Sequence, residues 1–378
     1  MSVIKRRLWL ESPGIDLSFI LLPAWIVSIV VLLVPAWREE GSVLTGLQWL
    51  LLVMVVDVGH VWSSLYRSWL DARDRAQYSA HLLWIPLLCW LAGVLLHSLG
   101  GQAAFWRALA LLAVYHFIRQ QQGFLKWYRA SDSQAEQKYH LLDMAALTAG
   151  ALHPMIYWVT HPGREFTWFV PGDLPEWTGP LALGVHDASR VAWIGLLAGW
   201  LCKEAWLLSR HGLIHWPRLL LIGGTTLSWN VGIVLLNGDI AFTATNCLAH
   251  GIPYIALVWI IQARRARKEP DQTLWRHGPR RKSFLAPASA ALLLSIPVGF
   301  AFLEEGLWDA LIWRERESFF GLFHAFFEGL EVTGIAASPW LVPLLALPQA
   351  THYVLDGFIW RRPEKTRESP LVPTEGIQ

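Results

Sequence analysis

The sequence predicts an all-α fold: a polytopic membrane bundle of about ten transmembrane helices with both termini in the cytoplasm. Three observations predict it. Of the 378 residues, 54% are hydrophobic and only 16% charged, whereas about a quarter of a soluble domain is charged. The apolar residues fall in blocks of roughly 18 to 23, the length that crosses a ~30 Å hydrocarbon core at 1.5 Å per residue. Basic residues collect in alternate connections, as the positive-inside rule requires.

The same composition excludes a disordered chain, a collagen and a disulfide scaffold. A net charge of +2 offers nucleic acid no general attraction. Cys89, Cys202 and Cys247 lie in or at the edge of apolar blocks with no paired spacing. Neither a disulfide framework nor a thiolate metal site is expected from them.

In chain order, the first span covers about residues 17–35 and follows Lys5, Arg6 and Arg7. It is long for a secretory signal core and lacks a small-residue cleavage site, so it reads as a retained helix. Spans at about 43–65, 81–99, 103–124 and 139–159 follow, separated by short loops. The outer loop 161–189 carries Pro, Gly and Trp without periodicity, which delays the next span to about 190–208. Two more, at about 219–236 and 239–261, precede the basic stretch that contains Arg264, Arg265, Arg267, Lys268, Arg280, Arg281 and Lys282. The last two lie at about 285–303 and 340–359. Between them, Phe319, Phe320, Phe323, Phe326 and Phe327 suggest an interfacial or re-entrant helix. With the N-terminus inside, the inner connections hold most of the Lys and Arg, and shifting the count by one span destroys that bias. Many of the 24 Trp, such as Trp37, Trp127 and Trp259, stand near span ends, where an indole places its ring in lipid and its N–H among headgroups. The chain reads as one integral membrane domain. Its short loops are those of a bacterial inner-membrane protein.

Ionisable residues inside a span cost a few kcal/mol or more unless they face a partner, so each is a functional candidate. Asp57 and His60 are three residues apart in the second span, Asn246 and His250 four apart in the eighth, and His352 and Asp356 four apart in the tenth. Each pair therefore projects from one face of its helix. The fourth span adds His116 with Arg119, Gln120 and Gln121, and the fifth begins with His140 and Asp143. In the predicted topology His60, His116 and His352 lie ~7 to 12 Å from the cytoplasmic ends of their spans and His250 ~16 Å. These histidines converge on one layer in the cytoplasmic half of the bilayer. His81 and His140, at span starts, divide evenly between that layer and an interfacial role. His97, His153, His161, His186, His211, His215, His277 and His324 read as structural.

Nitrogen and oxygen ligands without thiolate suit iron, copper, manganese or zinc. The expected site is a nonhaem centre of one or two iron ions on His60, His116, His250 and His352. Asp57, Asp356 and, from the fifth span, His140 and Asp143 would support or complete it. A carboxylate one turn from an imidazole holds one ring nitrogen so that the other meets the metal. Arg119 and Gln120 are candidates for contact with the polar end of a substrate. A lipophilic small molecule, reaching the site by lateral diffusion, explains why it lies within the bilayer. Without a nicotinamide, flavin or ferredoxin motif, electrons would come from an electron-donor protein or from the substrate.

Single histidines on several spans, some paired with Asp, resemble the bacterial Brp/Blh-type carotene oxygenases. The resemblance implies a membrane helical bundle that holds one iron through four histidines. The nearest approach to that family's PHG stretch is Ala249-His250-Gly251, and no carotene or retinal substrate is carried over.

Two other classes fit part of the pattern. Two histidines on facing spans can ligate a b-type haem for electron transfer, and Asp57, His60, Asn246 and Asp356 can relay protons or metal ions in a transporter. A Soret band marks the first, and metal-independent ion flux marks the second.

Overall fold

The computed structural model describes residues 8–212, 214–268, 287–328 and 338–360. The expected basic clusters Lys5 to Arg7 and Arg280 to Lys282, His277 and the C-terminal tail lie outside the described residues. Every element among the described residues is helical, without a strand. Among the described residues five helices are long and apolar enough to cross a membrane, or six if one bent pair counts as a span.

The helices are α1 (Pro13–Leu21) and α2 (Pro23–Leu33), bent by 50°, then α3 (Gly46–Arg67) and α4 (Ser79–Tyr128). They continue as α5 (His140–Thr160), α6 (Pro180–His211), α7 (Trp216–Leu235) and α8 (Asp239–Lys268). The last are α9 (Pro287–Trp308), α10 (Glu317–Phe326), α11 (Leu341–Leu345) and α12 (Leu347–Ile359). Each of the ten expected segments contains helix, with informative differences at the ends.

As one straight rod, the 50 residues of α4 would reach ~75 Å, more than twice a ~30 Å hydrocarbon core. Gly101, at φ 76° and ψ 177°, breaks it. That positive φ is open to glycine and strained for other residues. The break separates the two expected spans 81–99 and 103–124.

The span expected at 190–208 starts earlier, because Pro180 sits in the first turn of α6 after Gly179, where its missing N–H costs nothing. The span expected at 340–359 is broken at Ala346 into α11 and α12. The aromatic stretch expected to be helical forms α10, whose Phe320 packs with Trp49, Met54, Val58 and Ala301. At the start of α3, Thr45 and Gln48 form a reciprocal capping box that satisfies two otherwise orphaned N–H groups. Among the described residues four stretches are π-helical: Leu17–Leu21, Leu50–Val58, Asn230–Leu235 and Asp309–Trp313.

The chain forms two compact units. In the unit of residues 8–43 and 114–253, α5 packs along α6 and against α7. A Cβ on Gly150 of α5 would stand 2.4 Å from Thr226 Oγ1 on α7, so glycine is required for the close approach. Trp25 of α2 donates its Nε1–H to the Leu220 carbonyl at 2.8 Å.

This unit also buries a group of charges. Arg218 grips Glu204 through Nε and Nη2 at 2.6 and 2.9 Å, and its Nη1 reaches Glu136 at 3.2 Å. Lys203 Nζ lies 2.5 Å from Asp143 and 2.6 Å from Glu204. Arg129 pairs with Asp143 and, at 3.0 Å, with Asp132. His215 donates Nε2–H to the Tyr128 carbonyl at 3.1 Å and accepts the Arg218 N–H at Nδ1. In a low-dielectric interior each of these ions is tolerable only because it is paired and hydrogen-bonded.

In the unit of residues 44–113 and 254–360, α3 packs on α9. Tyr66, Tyr254, Val258 and Leu293 form one core cluster, and Leu82, Ile85, Leu355 and Ile359 another. Leu83, Trp84, Leu87, Leu88, Leu91 and Leu95 of α4 are exposed, an apolar outer face suited to lipid.

Candidate metal centre

α3 passes from its π-helical stretch into ordinary α-helix at Gly59, so His60 follows directly on a local change in helical winding. Such stretches recur at functional sites, because the wider turn redirects the side chains beyond it. His60 is buried, and its Nδ1 lies 3.6 Å from Asp57 Oδ1. On α12, buried His352 places Nδ1 3.8 Å from Asp356 Oδ1. Asp356 Oδ1 also accepts the Tyr254 hydroxyl at 2.8 Å. The His60 and His352 rings meet edge to face with centroids 5.0 Å apart, and Tyr254 stands edge-on to both. Both carboxylates lie beyond hydrogen-bond length from the imidazoles, at the range of a charge contact.

His116 on α4 and His250 on α8 form a second edge-to-face pair, again with centroids 5.0 Å apart. Phe117 stacks on His250 at 3.6 Å with only 9° between planes. Gln120, one turn beyond His116, donates Nε2–H to the His250 carbonyl at 3.2 Å. Gln121 reaches the Ala249 carbonyl at 3.4 Å.

His60, His116, His250 and His352 are all buried, each offers one ring nitrogen, and these atoms all lie within 4.8 Å of one another. Among the described residues this is the one group of His, Cys, Asp or Glu with that property. Four imidazole nitrogens this close together could hold one ion, whose bond to an imidazole nitrogen is about 2.0–2.1 Å. The donors are imidazoles without thiolate, a set that suits iron, copper, nickel or zinc.

Not every candidate is brought there. His140 is exposed at the start of α5, and Asp143 is held by Arg129 and Lys203 in the buried charge group. Neither belongs to the four-histidine group. Asp143 shares the three-residue spacing of Asp57 and His60, but its face of α5 meets the cations of other segments. Arg119 is exposed and donates to Gln122 at 2.7 Å, while Gln120 donates to the backbone carbonyl of His250. His81 packs on Phe358. Asn246 donates to the Phe242 carbonyl at 2.9 Å, within its own helix.

Sequence reasoning passed over Phe117, Tyr254 and Glu304. Phe117 and Tyr254 each stand beside a polar residue already singled out, but an aromatic in a membrane helix carries no signal of its own. Glu304 is buried and accepts from Trp62 Nε1 at 2.6 Å and from Gln349. Its signal was a carboxylate one residue past the edge of the expected span.

Comparison with protein-family models, with curated proteins and with solved structures finds no match.

Proposed function

We propose that the chain is an integral membrane metalloenzyme, a nonhaem iron oxidoreductase acting on a lipophilic substrate. The carrying observation is the four buried histidine nitrogens within 4.8 Å of one another. His60, His116, His250 and His352 would hold one ion, and iron when bound supplies the capacity to activate dioxygen for oxidation, desaturation or cleavage of an apolar substrate.

The chain's own residues set the conditions for that chemistry. Asp57 and Asp356 stand 3.6 and 3.8 Å from Nδ1 of His60 and His352, and a small turn of either ring would bring them into the carboxylate contact that supports a metal-binding imidazole. The Tyr254 hydroxyl fixes Asp356. Phe117 fixes the plane of His250, and Gln120 ties the backbone at that point to α4. Burial of all four imidazoles excludes bulk water.

The close grouping favours a bare ion over haem. A macrocycle supplies four nitrogens of its own and takes protein ligands only on its axis, so four imidazole nitrogens within 4.8 Å leave it no place. The bundle would cross the bacterial inner membrane ten times with both termini in the cytoplasm, and the site would lie in the cytoplasmic half. This arrangement is the one that resembles the Brp/Blh-type oxygenases. An electron-donor protein would serve any step that the substrate's own electrons do not.

Metal analysis of the purified wild-type protein beside the His60→Ala and His352→Ala variants tests the reading. Expected is about one iron per wild-type chain and a loss of at least tenfold in both variants. A metal-free wild type reconstituted with no divalent ion overturns it, as does a Soret band. Metal flux into liposomes would assign the histidines to transport.

A further inference from the structure

A cavity of about 300 Å³ adjoins His352. Its walls come from α3, α4, α11 and α12, and include Val61, Leu65, Leu344 and Leu347, with Thr351 and His352 beside one another. His352 and Thr351 are buried, whereas Leu344 is 48% exposed. Pro86 also lines the cavity, and its neighbours on α4, Leu83 and Leu87, belong to the exposed apolar face. The cavity therefore runs from an apolar exterior to a histidine of the candidate centre.

Two features restrict what it can hold. Its lining contains no Lys, Arg, Asp or Glu, so a charged ligand would lose its hydration without a counter-ion, at a cost of several kcal/mol. The Thr351 hydroxyl oxygen is buried and has no hydrogen-bond partner among the described residues. A buried polar group left in that state costs about 1–3 kcal/mol, which a ligand oxygen placed beside it would relieve. The volume suits about ten methylene-sized groups at ~30 Å³ each, the share of a liquid water molecule.

We infer that this cavity is the substrate slot, and that it takes the end of an uncharged hydrocarbon chain bearing one oxygen function, as in a long-chain alcohol or aldehyde. The oxygen accepts from Thr351 and the adjoining carbon lies against His352. The chain enters sideways from lipid between Leu83, Leu87 and Leu344. Fatty acids in their charged form are excluded, and plain alkanes bind without the polar contact. The inference rests on the proposed metal centre for the purpose of the slot, although the slot itself is tested without metal.

The test is photolabelling of the full chain in nanodiscs with a ten-carbon primary alcohol that carries a diazirine, followed by peptide mapping. Labels are expected within residues 61–69 and 344–352, with decanol competing about tenfold better than decane and decanoate failing to compete. Thr351→Val should bring decanol and decane to within about twofold. Leu347→Trp and, from the other wall, Leu65→Trp should each abolish labelling while melting temperature and metal content stay at wild-type values. Labelling elsewhere, labelling that survives both Trp variants, or equal competition by decanoate overturns the slot. Labelling as expected in a protein that binds no metal would leave the slot standing and remove the proposed centre. A metal-loaded protein without labelling at these segments would do the reverse.

Discussion

The ring of Phe117 lies parallel to the imidazole of His250, with centroids 3.6 Å apart and 9° between planes. A stack this close leaves the imidazole little freedom to turn about its own axis, while both ring nitrogens keep their edge directions. His116 is the residue before Phe117, so one turn of α4 supplies both a candidate ligand and the plate that aligns another.

Phe117→Leu should retain the fold but weaken metal binding by about tenfold, the lower end of what a supporting residue contributes. Phe117→Tyr should restore it. Competition titration against a chelator of known affinity measures both, with circular dichroism as the control for folding.

Asp356 couples to His352 and to Tyr254. Asp356→Asn should lower metal affinity about 10–100-fold, and Tyr254→Phe should do less. Because one side chain acts through the other, the double variant should fall short of the sum. Equal additive losses would separate Tyr254 from the site.

The buried charges around Arg218 and Lys203 should control stability instead of metal content. Removing a single partner, as in Lys203→Met, leaves Asp143 and Glu204 under-compensated and should destabilise the unit by about 3–5 kcal/mol. Lys203→Met combined with Asp143→Asn should recover part of the loss. Thermal unfolding in detergent reads the stability, and the iron content of the surviving folded fraction should remain at the wild-type level.

A pH effect is expected at the short helix Ala72–Gln77, outside the spans. Burial opposes ionisation of Asp71, but Arg265 and the N–H groups of Asp74 and Arg73 overcome it and hold the pKa below the usual value. Asp71 Oδ2 accepts from Arg265 at 2.7 Å. A lowered folded-state pKa contributes stability above the unfolded value, ~3.9, and loses it as pH falls through the folded value. Hydrogen exchange of residues 72–77, corrected for intrinsic rates, should be flat from pH 5 to 8 and rise only below about pH 4. In Asp71→Asn the acid step should disappear.

Helical spacing made much of the candidate centre readable. His60, His116, His250 and His352 stood out because histidine in an apolar span needs a reason, and the i,i+3 and i,i+4 partners marked the inward face. Spacing could not distinguish Asp143 from Asp57, since it says which residues share a face and not what that face meets. The charge group around Arg218 depends on segments far apart in sequence, and the Phe117 stack depends on two ring planes. The helical character was readable from apolar blocks, and five helices among the described residues are long and apolar enough to cross a membrane. The early start of α6 and the break at Ala346 depend on local proline, glycine and packing effects weaker than the apolar signal that masks them.

The π-helical stretch Leu50–Val58 gives the histidine on α3 a vulnerability that side-chain replacement would not expose. A wide turn of this kind accommodates one more residue than an α-helix over the same rise. Were the same residues to wind as ordinary α-helix with none removed, everything beyond them would swing by about one residue's turn, roughly 100°, around the axis. His60 would then leave its orientation toward His352 although its own identity, its neighbours in sequence and the hydrophobicity of the span were all unchanged. For α3, the winding of the residues before the histidine is as much a determinant of the centre as the histidine itself.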